Sequence, residues 1–202
     1  MQSMPEYRKQ IFRRFPLDSE NFEELMRAIS FREVAPGTIL LAEGDVATKL
    51  FFVIRGCLRT YFIKEDGKDI TAQFFVEDQL VASFESAATG TPSRACIEAI
   101  EDSIIAAIPL KTLEKIRCRS AAMQEGFNRF LVNRLAYYMD HCASYILDNP
   151  EERYVKLLKD KPELVARLPK QYIASYLGIT PVSLSRIRSR LKKKTSAAIN
   201  NR

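Results

Sequence analysis

Apolar residues recur at helical spacing at both ends of the chain and in short strand-like runs between them. Residues 5–30 read as helical. Ile11, Phe12 and Phe15 make one apolar patch, and Asp18 is placed to cap a second helix striped by Phe22, Leu25, Met26 and Ile29. From Phe31 the pattern changes to runs rich in β-branched and aromatic residues: TILLA (38–42), LFFVIR (50–55), CLRTYFIK (57–64), DITAQFF (69–75), ACIEAIE (95–101) and SIIAAI (103–108). Pro36-Gly37, Glu43-Gly44-Asp45, Gly56 and Asp66-Gly67 punctuate the first four, the last pair suiting the positive φ of a type I′ hairpin turn. Short strands at regular spacing predict an antiparallel roll or barrel. After Pro109 helical spacing returns. Met123, Phe127, Phe130, Leu131, Leu135, Tyr138, Met139, Cys142, Tyr145 and Ile146 predict one helix from about Ser120 to Asp148, with a stripe wide enough for both the roll and a second copy of itself. Asn149-Pro150 ends it, and a further helix is expected over 151–161.

The stretch Leu168 to Lys194 then reads as two helices joined by a very short turn. Ile173 and Leu177 share a face, and Ala174 is small enough for close approach of another helix. Gly178 suits the left-handed residue after a helix, Thr180 is a good N-cap, and Pro181 fits the first helical position. Leu184, Ile187 and Leu191 make the next apolar stripe, leaving Ser183, Ser185, Arg186, Arg188 and Arg190 on other faces. This is the pattern of a helix-turn-helix, whose second helix enters the DNA major groove, although an ordinary helical hairpin shares it. Charge separates the two. From Leu164 to Arg202 there are nine Lys or Arg and no acidic residue, a distribution that attracts phosphate.

The net charge of +6 is unevenly spread. Residues 148–202 hold 13 basic and 5 acidic side chains, a balance of +8, whereas residues 1–147 hold 18 and 20, a balance of −2. One anion-binding module on a near-neutral body follows. At 202 residues with 47% hydrophobic content the chain suits two globular domains. No apolar run reaches the ~18 residues of a membrane span and no signal peptide is evident, so a cytoplasmic protein without membrane contact is expected. Cys57, Cys96, Cys118 and Cys142 are far apart, and His141 has no partner at ligand spacing, so reduced structural cysteines and no metal site are expected. Glu98 and Glu101 read as solvent-facing rather than as an acid–base pair, and no catalytic set is visible.

The order of a glycine-punctuated roll, a long striped helix and a C-terminal helix-turn-helix resembles the Crp/Fnr superfamily of bacterial transcription regulators. AEGD (42–45), FFVIRG (51–56), EDGKD (65–69) and IASYLGITPVSLSRIRSRL (173–191) carry the likeness, the last being similar to members from Bacteroidetes-type bacteria. The resemblance implies an α+β fold: an antiparallel cyclic-nucleotide-binding-like β-roll (double-stranded β-helix or jelly-roll) with N-terminal helices over 1–119, a dimerisation helix over 120–148, and a helix-turn-helix domain over 149–202. It also implies a homodimer joined through Phe127, Leu131, Leu135, Tyr138 and Cys142, a near-palindromic duplex as partner, and RNA polymerase as a further partner.

Three departures qualify it. Cyclic-nucleotide binders of this family carry Gly-Glu followed by Arg-Ser or Arg-Thr, but here Val81-Ala82 stand in the first place and Ala95 follows Arg94. Val81, Ala82, Ser83, Arg94, Ala95 and Tyr138 are the expected effector pocket, one that does not hold cyclic AMP tightly; Arg94 itself reads as a surface loop arginine ahead of a phosphate ligand. The effector is unknown and no cofactor is expected. The N-terminal cysteine cluster of the oxygen-sensing branch is missing from this N-terminus, and His141 by itself gives little support for haem. Lastly, KKKTSAAINNR shows no strand pattern for the family's wing, so the wing is expected to be reduced or absent, the tail frayed, and Lys192 to Lys194 available to phosphate.

On DNA, Thr180 and Ser183 suit phosphate at the start of the recognition helix. Val182, Ser185 and Arg186 are expected to read bases, and Lys170, Arg188 and Arg190 to contact phosphates. Two other readings stand beside the regulator: a ligand- or protein-binding module whose tail makes protein contacts or only non-specific nucleic-acid contacts, and an enzyme. The one-sided charge speaks against the former and the missing catalytic set against the latter.

Overall fold

The computed structural model describes residues 4–15 and 17–200, with side chains for residues 5–15 and 17–193. They divide into two compact units. One runs to Ile63 and resumes from Ala72 to Tyr137; the other holds Lys64–Thr71 and the chain from Tyr138 onward. The division falls inside one hairpin and inside the long helix.

The first unit opens with α1 (Met4–Arg14) and α2 (Ser19–Ala28). Asp18 caps α2, its carboxylate accepting from the Asn21 backbone N–H at 2.8 Å. Ile11, Phe15, Phe22, Leu25 and Met26 are buried, but Phe12 departs from the expected patch and is 52% exposed. The strands are β1 (Ser30–Val34), β2 (Ile39–Leu41), β3 (Lys49–Arg55), β4 (Leu58–Ile63), β5 (Asp69–Phe75), β6 (Leu80–Val81), β7 (Cys96–Ala99) and β8 (Ser103–Pro109), with a short α3 (Phe84–Thr89) after β6. They form two sheets in the orders β1-β8-β3-β6 and β2-β7-β4-β5.

The run LFFVIR explains the layering. Leu50, Phe52 and Ile54 face a core shared with α1, α2 and α4 (Leu110–Arg119), while Phe51 and Val53 face the core between the sheets. Alternation across a strand covered on both faces gives a continuous apolar run. Gly56 then turns the chain at φ +100°, where a Cβ would lie 2.7 Å from the Ser103 Cα, so only glycine fits. The Asp66-Gly67 turn is not type I′. Gly67 has positive φ and Asp66 does not, and the Gly67 and Lys64 N–H groups donate to Lys64 O and Lys68 O, as in a three-residue loop closed by a glycine bulge.

Glu98 corrects its expected exposure. It is buried and accepts from Arg59 Nε at 2.8 Å across the β4–β7 ladder, where the two residues are direct partners. Arg59 in turn lies over the Tyr61 ring at 4.2 Å. A charge on a buried sheet face persists only when paired in this way.

The long helix α5 (Ala121–Leu147) enters the second unit, which continues with α6 (Pro150–Asp160), α7 (Pro162–Arg167), α8 (Lys170–Tyr176) and α9 (Pro181–Asn200). Asn149-Pro150 does more than end α5. Asn149 and Glu152 form a reciprocal capping box, and Pro150 takes the first position of α6. Among the described residues, Tyr154, Leu157, Leu164, Leu168, Ile173, Ala174, Leu177, Leu184 and Ile187 are the buried apolar residues of this unit. The expected frayed tail is helical to Asn200, and no wing strand follows among the described residues. Asn201, Arg202 and the side chain of Lys194 lie outside the described residues.

Candidate nucleic-acid interface

The turn between α8 and α9 is built by three adjacent residue choices. Gly178 has φ +69°, and its N–H donates to Ser175 O while the Ile179 N–H donates to Ala174 O, both at 3.0 Å. This is the Schellman arrangement, which satisfies carbonyls at the end of α8. Thr180 then caps α9, its hydroxyl accepting from the Ser183 N–H at 3.2 Å. Ile173, Ala174 and Leu177 of the first helix and Leu184 and Ile187 of the second are buried, which fixes which face of α9 points outward.

That outer face carries most of the expected contacts. Lys170, Thr180, Val182, Ser185 and Arg186 are exposed, Val182 by 61%, and Ser183 is half-buried through its hydrogen bond to Thr180. Arg188 is also half-buried, off the most open face. Arg190 is exposed but paired with Glu151 at 2.9 Å. A groove between α6 and α9 is lined by Val155, Lys156, Lys159, Val182, Arg186 and Arg190 among others, so Lys156 and Lys159 join the basic surface from a helix outside the helix-turn-helix. Sequence reasoning missed them because Glu151, Glu152 and Asp160 flank them and the run read as mixed.

Arg153 is a second residue missed. Its guanidinium donates to Asp148 O at 2.6 Å and Leu177 O at 2.9 Å, and lies 4.6 Å from the Tyr145 ring centroid. It therefore ties the end of α5 and the start of α6 to the helix-turn-helix corner. Tyr145 donates its hydroxyl to Tyr176 O, and His141 Nδ1 lies 3.3 Å from the Tyr176 hydroxyl. Burial holds the His141 imidazole below its ordinary value, with Lys161, Arg153 and Lys156 adding to the effect, and burial raises the Tyr145 phenol.

Of the expected effector residues, Ser83 lies beside the buried Ser93, while Val81 and Ala82 face different cores. Val81, the last residue of β6, belongs to the core between the sheets, and Ala82, just past the strand, to the core under the helices. Arg94 is exposed. The buried residue beside it is Ser93, whose hydroxyl donates to Ser83 Oγ at 2.9 Å and Ala95 O at 2.7 Å and is within 3.2 Å of the Ala95 N–H. Tyr138 belongs to the other unit and is 41% exposed. Among the described residues no group of three or more His, Cys, Asp or Glu is placed to hold a metal, and the cysteine cluster of the oxygen-sensing branch has no counterpart.

Along α5, Leu131, Leu135, Tyr138 and Cys142 are exposed, whereas Phe127 is half-buried against Phe130 and Arg117. The most exposed apolar residues of the helix are instead Val132, Leu135, Met139, Ile146 and Leu147, and with Cys142 the first four repeat at alternating steps of three and four. Val132 was overlooked because the stripe of larger residues beside it dominated the pattern.

Residues 31–119 match the model of the cyclic nucleotide-binding domain. The chain is 24% identical to the fumarate nitrate reduction regulatory protein of Klebsiella oxytoca and 23% identical to the fumarate and nitrate reduction regulatory protein of Escherichia coli K12, in both cases over 93% of this chain and 79% of the relative. Among solved structures, FixK2 from Bradyrhizobium japonicum superposes with a TM-score of 0.73 at 20% identity, covering 83% of this chain and 86% of that one. A regulator assigned to the Crp/Fnr family from Eubacterium rectale gives 0.72 at 21% identity, covering 90% and 88%. The comparisons thus give residues 31–119 as a match to the cyclic nucleotide-binding domain and show, over most of the chain, the fold of these solved regulators.

Proposed function

We propose that this chain, a DNA-binding transcription regulator and not an enzyme, acts in the cytoplasm as a homodimer on a near-palindromic duplex site. Its parts are a sensory roll with N-terminal helices (1–119), a dimerisation helix (120–148) and a DNA-binding domain (149–202). The observation that carries the reading is α9. Its Thr180-capped start and outward Val182, Ser185 and Arg186 stand above a buried Leu184–Ile187 face, as a recognition helix requires. Val182, Ser185 and Arg186 read bases, Thr180 and Ser183 meet phosphate, and Lys170 and Arg188 take flanking phosphates. Arg190 joins them by exchanging Glu151 for phosphate. RNA polymerase is the protein partner expected of such a regulator.

Dimerisation is supported by the exposed apolar seam of α5, which in a two-stranded contact would be buried against its copy. The roll is not expected to hold cyclic AMP tightly. The buried Ala82 stands where the family's acidic residue would meet a ribose hydroxyl, and Ala95 replaces the hydroxyl residue expected after Arg94.

The test is selection from a random duplex pool at physiological salt, with and without cyclic AMP. A two-fold-symmetric site with half-sites about one helical turn apart, recovered equally in both arms, is expected. Recovery of only unselected, salt-sensitive duplexes would favour the reading in which the basic tail makes generic contacts.

A further inference from the structure

The groove between α6 and α9 places a carboxylate on the proposed DNA surface. Its volume of about 1740 Å³ exceeds the ~300–1,000 Å³ of a small-molecule pocket, so it suits a polymer backbone rather than a metabolite. On α9 it is walled by Val182, Arg186 and Arg190, which stand four residues apart and share a face. On α6 it is walled by Glu151, Val155 and Lys159, likewise four apart. The Arg190 guanidinium reaches across and counts Glu151 as its partner at 2.9 Å.

The two partners differ in freedom. The Glu151 side chain is 22% exposed and stands in the first turn of α6, where the helix dipole favours a carboxylate. Its backbone N–H is fixed on Asn149 Oδ1 at 2.9 Å, just after Pro150. The Arg190 side chain is 62% exposed on a long stem. Glu151 therefore stays in place and Arg190 is the group that moves. Held on Glu151, the guanidinium has its charge offset and draws phosphate less strongly. A solvated pair of this kind is weakly held, so a phosphate docked against α9 displaces the carboxylate, whereas one held further off does not.

We propose that Glu151 is a specificity-determining residue. It keeps Arg190 from phosphate in loosely held, unselected duplexes and yields it only when a selected site docks closely on Val182, Ser185 and Arg186. The inference rests on the reading of α9 as a recognition helix. Unselected binding is almost wholly phosphate attraction, so withholding one cation lowers the background, while the selected complex recovers that cation.

Binding of the full chain to the selected symmetric duplex and to a random-sequence duplex is followed by fluorescence anisotropy from about 50 to 200 mM salt. Glu151→Gln should steepen the log–log salt slope on the random duplex by about 0.9 per protomer, one phosphate contact. It should also tighten the random duplex at least ~3-fold more than the selected one. Arg190→Met should flatten the slope on the selected duplex by about 0.9 per protomer and leave the random-duplex slope unchanged. With both substitutions the random-duplex slope should return to that of the unaltered chain. Glu152, not Glu151, lends its side chain to the α6 capping box, and Arg190 is exposed, so thermal melts should show both variants folded. An unchanged random-duplex slope in Glu151→Gln overturns the proposal. So does an equal gain on both duplexes, or a gain that persists beside Arg190→Met, which would make Glu151 a bare repulsive charge. A pool that yields no symmetric site overturns the recognition-helix reading and this one together. A symmetric site with Glu151→Gln inert on random duplex overturns only the role of Glu151.

Discussion

Leu135→Glu tests the dimer at the centre of the α5 seam. Leu135 is 63% exposed and stands between Val132 and Met139, which are 66% and 63% exposed, so the substitution perturbs no buried core within the chain. Burying about two thirds of a leucine is worth roughly 1–2 kcal/mol, and a two-fold contact buries two copies. Replacing both therefore removes about 2–4 kcal/mol, and two carboxylates facing each other in a desolvated seam add to the loss. At about 1.4 kcal/mol per tenfold, dimer dissociation should rise by ~100-fold or more. Sedimentation velocity over a concentration series reads that shift directly. On DNA, affinity for a full symmetric site should collapse to that for a single half-site, while half-site affinity itself stays put. A variant that sediments as a dimer and keeps full-site affinity would refute the assignment of the seam to α5.

Three further outcomes follow. Arg186→Ala should cost about 1–3 kcal/mol on the selected site and relax one base position, read by binding to a panel of single-base variants; an equal loss on random duplex would reassign Arg186 to phosphate. Glu98→Gln leaves Arg59, itself 3% exposed, without its ionic partner, so urea unfolding should show a loss of about 3–5 kcal/mol, and a loss below ~1 kcal/mol would contradict the buried pair. His141 has a folded value held below its ordinary one, so the unfolded chain takes up its proton first as pH falls. Its contribution is complete above about pH 6.5 and drains away as pH falls from there through the lowered folded value, a slope that His141→Gln should abolish in thermal melts.

The DNA-binding end was legible because its signals are local. Gly178, Thr180 and Pro181 each act on the backbone within three residues of themselves, and the structure uses the glycine in the expected left-handed turn and the threonine as the expected cap. LFFVIR was legible for a related reason, since alternation along one strand needs no knowledge of its neighbours. What escaped the sequence depends on partners the fold supplies. Glu98 reads as a surface residue until β4 places Arg59 opposite it, 39 residues away. Val81 and Ala82 read as one site until the fold sends them to different cores. A family motif is also a local signal, so its absence at Val81-Ala82 argues against one ligand and is silent about any other. Contacts such as Arg14 over the Phe130 ring likewise join residues that no short motif links, and arise only when α1 and α5 pack together.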